Sequence, residues 1–410
     1  MFSRGPLRLT HLGWGLAVPV LFLSLLGLAT IHATERKDAP RVTSGDAPSE
    51  SNWIVSTAET IGVLTLKQGV YLALGVGLLL LTLRVSYQKI GEFAFLIYGF
   101  VLLLLAVLVV ARWVDLPFVP VRRDVRRWIQ FGVSFATIQP SEFMKPALIL
   151  ALARYLRYRE SFRSWPGLVP PFLFAMVPMA LILFQPDLGT MLMLLPVLFA
   201  MLFVAGARLR HLILIVVLGL ATLPAFYFYG MADYQRSRID VVFKQSIDDE
   251  KWHMGPGYQL RQSKIALGTG GLAGEGYAEG AFIEYELLPD EHNDFIFAII
   301  GHQWGLLGCV LILLAYGVIV MCGLEVATVT NDPFGRLLAV GVVVMIVVQA
   351  LLNVGMTLGL TPITGMTLPF VSAGGSSLWG NFIALGLLVN VAQRRPMLIA
   401  NPPFEFDRDE

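Results

Sequence analysis

The sequence predicts an all-α polytopic integral membrane protein of about ten transmembrane helices. Both termini are expected to be cytoplasmic, with a large extracytoplasmic loop between helices 7 and 8. Three observations lead there. Of 410 residues, 56% are hydrophobic and only 14% charged, and the mean hydropathy is +0.69. Apolar runs close to the roughly 20 residues that cross a hydrocarbon core about 30 Å thick recur along the whole chain. The short gaps between those runs alternate in their Lys and Arg content.

The first run, 12 to 33, has the length of a secretion signal but lacks a convincing small-residue cleavage site, so it reads as the first span. The next are 64 to 83, 90 to 111, 136 to 154, 167 to 184, 188 to 206, 211 to 229, 294 to 320, 335 to 358 and 374 to 393. No gap holds a soluble domain of normal size and no fixed-period repeat is present, so residues 1–400 form one transmembrane domain and 394–410 a cytoplasmic tail. Cys309 and Cys322 fall in or beside one apolar run, which suits two buried small residues and not a disulfide framework.

Orientation follows from the basic residues. With ten spans, one side receives Arg4 and Arg8, Arg84 and Lys89, Arg154, Arg157, Arg159 and Arg163, Arg208 and Arg210, Arg336, and Arg394 and Arg395; that side is the cytoplasm. Residues 34–63, 112–135, 230–293 and 359–373 then lie outside. The loop at 34–63 is polar and has no core of its own. The loop at 230–293 mixes "GTGGLAGEG" with Trp252, Tyr258, Phe282 and Tyr285, which suits an ordered, membrane-covering loop whose glycines permit tight turns or close substrate approach. The formal charge of +1 is patterned and argues neither for nor against nucleic acid; no nucleic acid partner is expected.

One outer loop breaks the charge rule. "VRRDVRRWIQFG" holds Arg122, Arg123, Arg126 and Arg127. Either Asp115 and Asp124 offset them, or an anionic ligand at the outer face justifies them, since guanidinium groups match phosphate oxygens with paired donors.

Charge inside a span is costly unless paired or facing a cavity. Glu142 and Lys145 lie three apart on one helical face, either as a pair that pins the helix or with Lys145 as counter-charge to a lipid phosphate. Asp187 sits between Pro186 and Gly189 in "LFQPDLGTML", where it can cap the following helix or serve the Arg cluster. The stretch "NVGMTLGLTPITGMTLPFVSAGGSSLWGN" is poor in charge and rich in Gly, Pro, Thr and Ser; such backbone at membrane depth must be buried in protein or line a cavity. Four ionisable groups, Asp290, Glu291, His292 and Asp294, precede the eighth span, where Asp294 can be a helix cap or a site residue. Ten spans with interrupted segments also suit a transporter of a lipid-linked precursor, and a noncatalytic scaffold remains a third reading.

In order along the chain, "RRW", "QPSEFMKPALILALARYL", "QPDLGT", "GPGYQLRQSKIALGTGGLAGEG", "LPDEHNDFIFAIIG" and "TPITGMTLPFVSAGGSS" resemble the shape, elongation, division and sporulation (SEDS) family of peptidoglycan glycosyltransferases. The resemblance implies polymerisation of lipid II into a growing glycan strand at the outer face of the bacterial cytoplasmic membrane, with undecaprenyl pyrophosphate released. It implies Asp294 as the essential acid. It places Arg127, Glu142, Lys145, Asp187, Gln262, Ser263, Lys264, Thr364, Ser372, Gly375 and Ser376 in the family's other patches, with Arg126 beside them as a further phosphate contact. It also allows Mg²⁺ or Mn²⁺ to share the charge, although no dense carboxylate cluster specifies a metal site. The implied partners are a class B penicillin-binding transpeptidase and, from "QSKIALGTGG", the elongation machinery. Two departures stand out: "GHQWG" puts His302 and Gln303 where relatives commonly carry two glutamates, and Ala373 replaces a common Tyr.

Overall fold

The computed structural model describes residues 11–35, 62–121, 125–130, 137–159, 163–231, 233–245, 255, 257–285, 287–289 and 291–394. Arg122, Arg123, Asp124, Trp252 and Asp290, nearly all of the 34–63 loop and the tail beyond 394 lie outside them.

Each of the ten predicted apolar segments holds a helix. In chain order the helices are α1 (His11–Glu35), α2 (Val63–Arg84), the short α3 (Tyr87–Glu92), α4 (Ala94–Val110), α5 (Pro140–Leu156), α6 (Trp165–Phe184), α7 (Leu188–Ala205) and α8 (Leu209–Ala225). After a π-turn at Phe226–Gly230 come α9 (Asp233–Phe243), α10 (Tyr258–Thr269), α11 (Ala281–Glu284), α12 (Ile296–Val329), α13 (Pro333–Leu358) and α14 (Gly375–Gln393). Among the described residues eight helices are long and apolar enough to cross a membrane: α1, α2, α6, α7, α8 with its π-turn, α12, α13 and α14. α4 is apolar but has 17 residues, and α5, also 17, carries Glu142 and Lys145.

Burial orders these helices from centre to rim. In α13 and α14, 72% of the most apolar stretch is buried inside the protein, against 6% in α8. The first two form the middle of the bundle, and α8 presents its side chains to lipid. α14 packs on α2, α12 on α1 and α13, and α7 on α13. At the α14–α2 contact Asn390 Nδ2 donates to the Thr82 and Val85 carbonyls at 2.6 Å each, satisfying backbone that lipid cannot.

Local chemistry accounts for the departures from the predicted bounds. Ser86 caps α3 by accepting from Lys89 N, so the expected helix at 90 to 111 begins as a separate turn. The expected helix at 136 to 154 begins only at Pro140, a favoured first position. Ahead of it β1 (Ile129–Gln130) pairs antiparallel with β2 (Thr137–Ile138), in register Ile129 to Ile138.

α12 runs nine residues past the expected end, at 34 residues, and it breaks at Gly305 (φ 63°, ψ −159°). A break inside a helix leaves amides and carbonyls without partners. Here the glycine-rich stretch after α10 supplies them. Leu306 N donates to Gly271 O at 2.9 Å and Leu307 N to Leu272 O at 3.2 Å; in return Glu275 N donates to His302 O at 2.9 Å and Gly276 N to Gln303 O at 3.2 Å. That approach leaves no room for side chains. A Cβ at Gly274 would lie 2.6 Å from Trp304 N, and one at Gly305 would lie 2.5 Å from Gly274 N. The close approach of these glycines is therefore to a broken helix.

Candidate active site

Asp294 lies two residues before α12, and Phe295 occupies the cap position without a side-chain cap bond, so helix capping does not account for the aspartate. Its backbone is tied from two directions. Ser372 Oγ donates to Asn293 O at 2.6 Å, and Asn353 Nδ2, from inside α13, donates to Asp294 O at 2.8 Å and to Met366 O at 2.6 Å. Ala373 N also donates to His292 O at 2.9 Å. The half-buried Asp294 carboxylate faces Gly365: a Cβ on that glycine would stand 3.3 Å from Asp294 Oδ2 and 3.9 Å from Arg238 Nη1. Gly365 has φ +72°, a conformation costly to other residues.

Arg238 belongs to α9 and donates to Ile363 O at 3.3 Å. α9 is itself fastened, because Tyr227 Oη and Lys244 Nζ donate to the two Asp240 carboxylate oxygens at 2.5 and 2.6 Å. Desolvation alone would raise the Asp240 carboxyl; the hydrogen bonds from Lys244 and Tyr227 outweigh it and hold the group below its usual value.

The segment between α13 and α14 is the interrupted backbone expected from sequence; residues 368–373 are buried in protein, while Leu360 and Gly365 are exposed. A Cβ at Gly27 of α1 would lie 2.8 Å from Val371 Cα, and one at Gly189 of α7 the same distance from Thr364 O. Gln68 of α2 donates to Ser372 O at 3.2 Å and accepts from Gly374 N at 3.2 Å. Thr364 is buried beside Gly365, with its hydroxyl toward Met356 Sδ, and Gly375 starts α14 against the Tyr71 ring.

Asp187 caps α7, accepting from Thr190 N at 3.2 Å and Thr190 Oγ1 at 3.0 Å, and it also takes Gln139 Nε2 at 3.2 Å and Ser141 Oγ at 3.3 Å. Gln139 N in turn donates to Ser376 Oγ at 3.0 Å. The turn before α7, the start of α5 and the start of α14 thus share one polar network. Arg127 holds the same turn by its backbone: Nε donates to Gln185 O at 2.7 Å and Nη2 to Pro186 O. It orients the turn through those carbonyls and not through the Asp187 carboxylate.

The Glu142–Lys145 pair is buried, at 2.5 Å, with the lysine 1% exposed. Lys145 Nζ also donates to Gln349 Oε1 at 3.3 Å, and Gln349 Nε2 donates to Thr367 O at 3.0 Å. The ammonium therefore joins α5, α13 and the interrupted segment instead of reaching an open surface. Removing one member of a buried pair leaves the other charge uncompensated, typically at about 3–5 kcal/mol. Lys145→Met is expected to lower the thermal midpoint sharply and Glu142→Gln/Lys145→Met to regain most of it; equal midpoints for the single and double variants would contradict the pairing.

The remaining predicted residues stand apart. Arg126 pairs with Asp115 and donates to Ala111 O at the end of α4. Ser263 Oγ donates to Thr357 O at 3.0 Å, half-buried Gln262 is its neighbour on α10, and Lys264 donates to Gln245, which donates to Gly359 O at 2.7 Å. These three flank the far side of the interrupted segment. His302 is buried against the segment between α10 and α12, with Nδ1 2.9 Å from Thr269 Oγ1 and its ring edge-on to Phe282, and Gln303 is buried beside it. Ala373, buried, offers only its amide to His292. Among the described residues no three His, Cys, Asp or Glu side chains gather as a metal site.

Fold and site together define a polytopic membrane protein with a polar site built at one end of its bundle, from helix starts and buried irregular backbone. The chain belongs to the cell cycle protein family of FtsW, RodA and SpoVE, the SEDS membrane glycosyltransferases, whose family model matches residues 49–396. It is 37% identical over 337 residues to the probable peptidoglycan glycosyltransferase FtsW of Geobacter metallireducens, covering 80% of this chain and 84% of that one. Similarity to the peptidoglycan glycosyltransferase MrdB of Escherichia coli is 34% over 278 residues, 68% of this chain and 74% of that one. The crystal structure of Thermus thermophilus rod shape determining protein RodA superposes with a TM-score of 0.64 at 28% identity, covering 93% of this chain and 97% of that one. A chain from a peptidoglycan synthase complex, described as coordinating polymerization and crosslinking, gives 0.72 at 28% identity, covering 94% and 98%. This kinship supports a glycosyltransferase role.

Proposed function

We propose that the protein polymerises lipid II into glycan strands, with Asp294 as general base, at the extracytoplasmic face of the cytoplasmic membrane. The observation that carries this is the fixation of Asp294: Ser372 and Asn353 lock the Asn293–Asp294 backbone while the carboxylate faces Gly365, with Arg238 Nη1 near the same glycine. A base so placed takes the proton of the acceptor N-acetylglucosamine C4 hydroxyl as that oxygen bonds to the donor's anomeric carbon. The bond from that carbon to the pyrophosphate breaks, and the lipid pyrophosphate departs.

The leaving group gathers negative charge and needs cations nearby. Arg238 places a guanidinium beside the same Gly365 that the Asp294 carboxylate faces; Arg127, through its hold on the Gln185–Pro186 backbone, shapes the adjoining wall. Lys145 acts from beneath by fixing Gln349 and Thr367, and Thr364, Ser372, Gly375 and Ser376 line or brace the same region. Gln262 and Lys264 guide the lipid-linked substrate from the flank, while the buried Ser263 only braces α10 on the Thr357 carbonyl.

Purified protein given labelled lipid II is expected to yield long glycan chains and free lipid pyrophosphate. Movement of intact lipid II across vesicles without polymer would favour a transporter instead. An elongation role, with a class B penicillin-binding transpeptidase cross-linking the product, predicts rounded cells on depletion; filamentous cells would assign the chain to division.

A further inference from the structure

The bundle end opposite Asp294 holds a cavity of about 350 Å³ edged by Arg157, Arg159, Arg163 and Arg336. It forms where α5 and α7 finish and α6 and α13 begin, and Leu156, Val204 and Leu337 give it an apolar wall. Among the described residues none of these four guanidinium groups pairs with a carboxylate. Asp332, the acid closest in sequence to Arg336, has its carboxylate on the amides of Phe334 and Gly335 at 3.3 and 3.2 Å.

Aromatic rings support two of the arginines. Arg159 lies 4.4 Å over the Tyr155 ring and Arg157 lies 4.5 Å over Tyr158. Arg159 Nη1 donates to Tyr155 Oη at 3.3 Å, and the remaining in-plane donors of a stacked guanidinium stay available for phosphate oxygens. Arg336 gives Nε and Nη2 to Thr330 O at 3.3 and 3.2 Å, which holds it at the rim. The apolar wall continues onto the outer surface, where Phe203 and Val204 are exposed at the end of α7.

We propose that this cavity is a binding site for the headgroup of an anionic phospholipid, with the phosphate among the four arginines and the acyl chains along Val204 and the outer face of α7. A free phosphate satisfies the same donors but leaves the apolar wall and the adjoining exposed side chains bare, whereas a phospholipid covers both. The positive-inside count puts this end in the cytoplasmic leaflet, where anionic lipid meets basic pockets between helices.

The test uses the purified full chain in neutral detergent with dioleoyl phosphatidylglycerol, dioleoyl phosphatidylcholine, inorganic phosphate or pyrophosphate added, reading the thermal midpoint. Phosphatidylglycerol alone is expected to stabilise the protein. Arg159→Gln/Arg163→Gln, which removes two rim charges without removing a backbone hydrogen bond, is expected to weaken that effect at least tenfold in lipid concentration. Arg208→Gln/Arg210→Gln removes equal charge from the same end outside the cavity and is expected to stay within twofold of wild type.

Equal losses in the two pairs would reduce the effect to general surface charge and overturn the site. Equal stabilisation by phosphate or pyrophosphate would overturn the lipid assignment in favour of a free anion. Native mass spectrometry of the wild-type protein gives a reading that needs no variant: one phosphatidylglycerol retained in preference to phosphatidylcholine is expected, and no retained lipid overturns the proposal.

Discussion

Asp294→Asn is expected to reduce the initial rate of lipid II polymerisation by about 10²–10⁴-fold, the usual loss when a positioned general base is removed. The substitution keeps the size of the side chain and removes its negative charge, and with it the capacity to accept the proton. The bonds from Asn353 and Ser372 that place this segment fall on its main chain and that of Asn293, and both survive the substitution. A normal thermal midpoint beside a collapsed rate is the expected pair of results. Polymerisation at the wild-type rate would remove Asp294 from the chemistry and reopen the transporter and scaffold readings.

How much of this was legible beforehand depends on whether the signal was local. Hydropathy located every long helix, because the cost of exposing polar backbone to lipid is written into consecutive residues. The Glu142–Lys145 pair and the Asp187 cap were also readable, since each depends on spacings of three residues within one helix turn. Nothing local marks Arg238: it lies in a polar stretch between α8 and α10, and its approach to Gly365 joins segments 127 residues apart. Asn353 and Gln349 left a signal that went unused, two buried amides four residues apart in an otherwise apolar helix. Both turned out to hold the interrupted segment by its carbonyls at Met366 and Thr367.

The same limit applies to His302 and Gln303. By resemblance they replace acids, which made them look like changes to the chemistry. Their neighbours show a second setting: both sit on the turns of α12 whose carbonyls accept from Glu275 and Gly276, and His302 meets Thr269 and Phe282. In this chain they belong to the seam between the glycine-rich segment after α10 and the broken helix. The sequence displayed the glycines of that seam but not what approached them.

Gly270→Ala is the substitution expected to open that seam. Its Cβ would overlap the Gly301 carbonyl oxygen and stand 2.8 Å from the carbonyl carbon and 3.0 Å from His302 Cα, all backbone atoms that cannot swing aside. Either the outer segment lifts away or α12 shifts. Lifting leaves Leu306 N, Leu307 N, His302 O and Gln303 O without the partners that heal the break, and each buried unsatisfied group costs roughly 1–3 kcal/mol. A destabilisation of about 3 kcal/mol or more is therefore expected, read as a fall in thermal midpoint and as new protease cleavage between α10 and α12. Polymerisation should fall too, because Asp294 lies only two residues before α12. Gly268→Ala supplies the contrast: a Cβ there meets nothing within 4 Å, and the residue is helical, so alanine should be neutral or stabilise by about 0.5–1 kcal/mol. Two alanines two residues apart thus carry opposite expected signs. Matching midpoints for the pair would show that glycine at 270 serves flexibility rather than the close passage of one backbone against another.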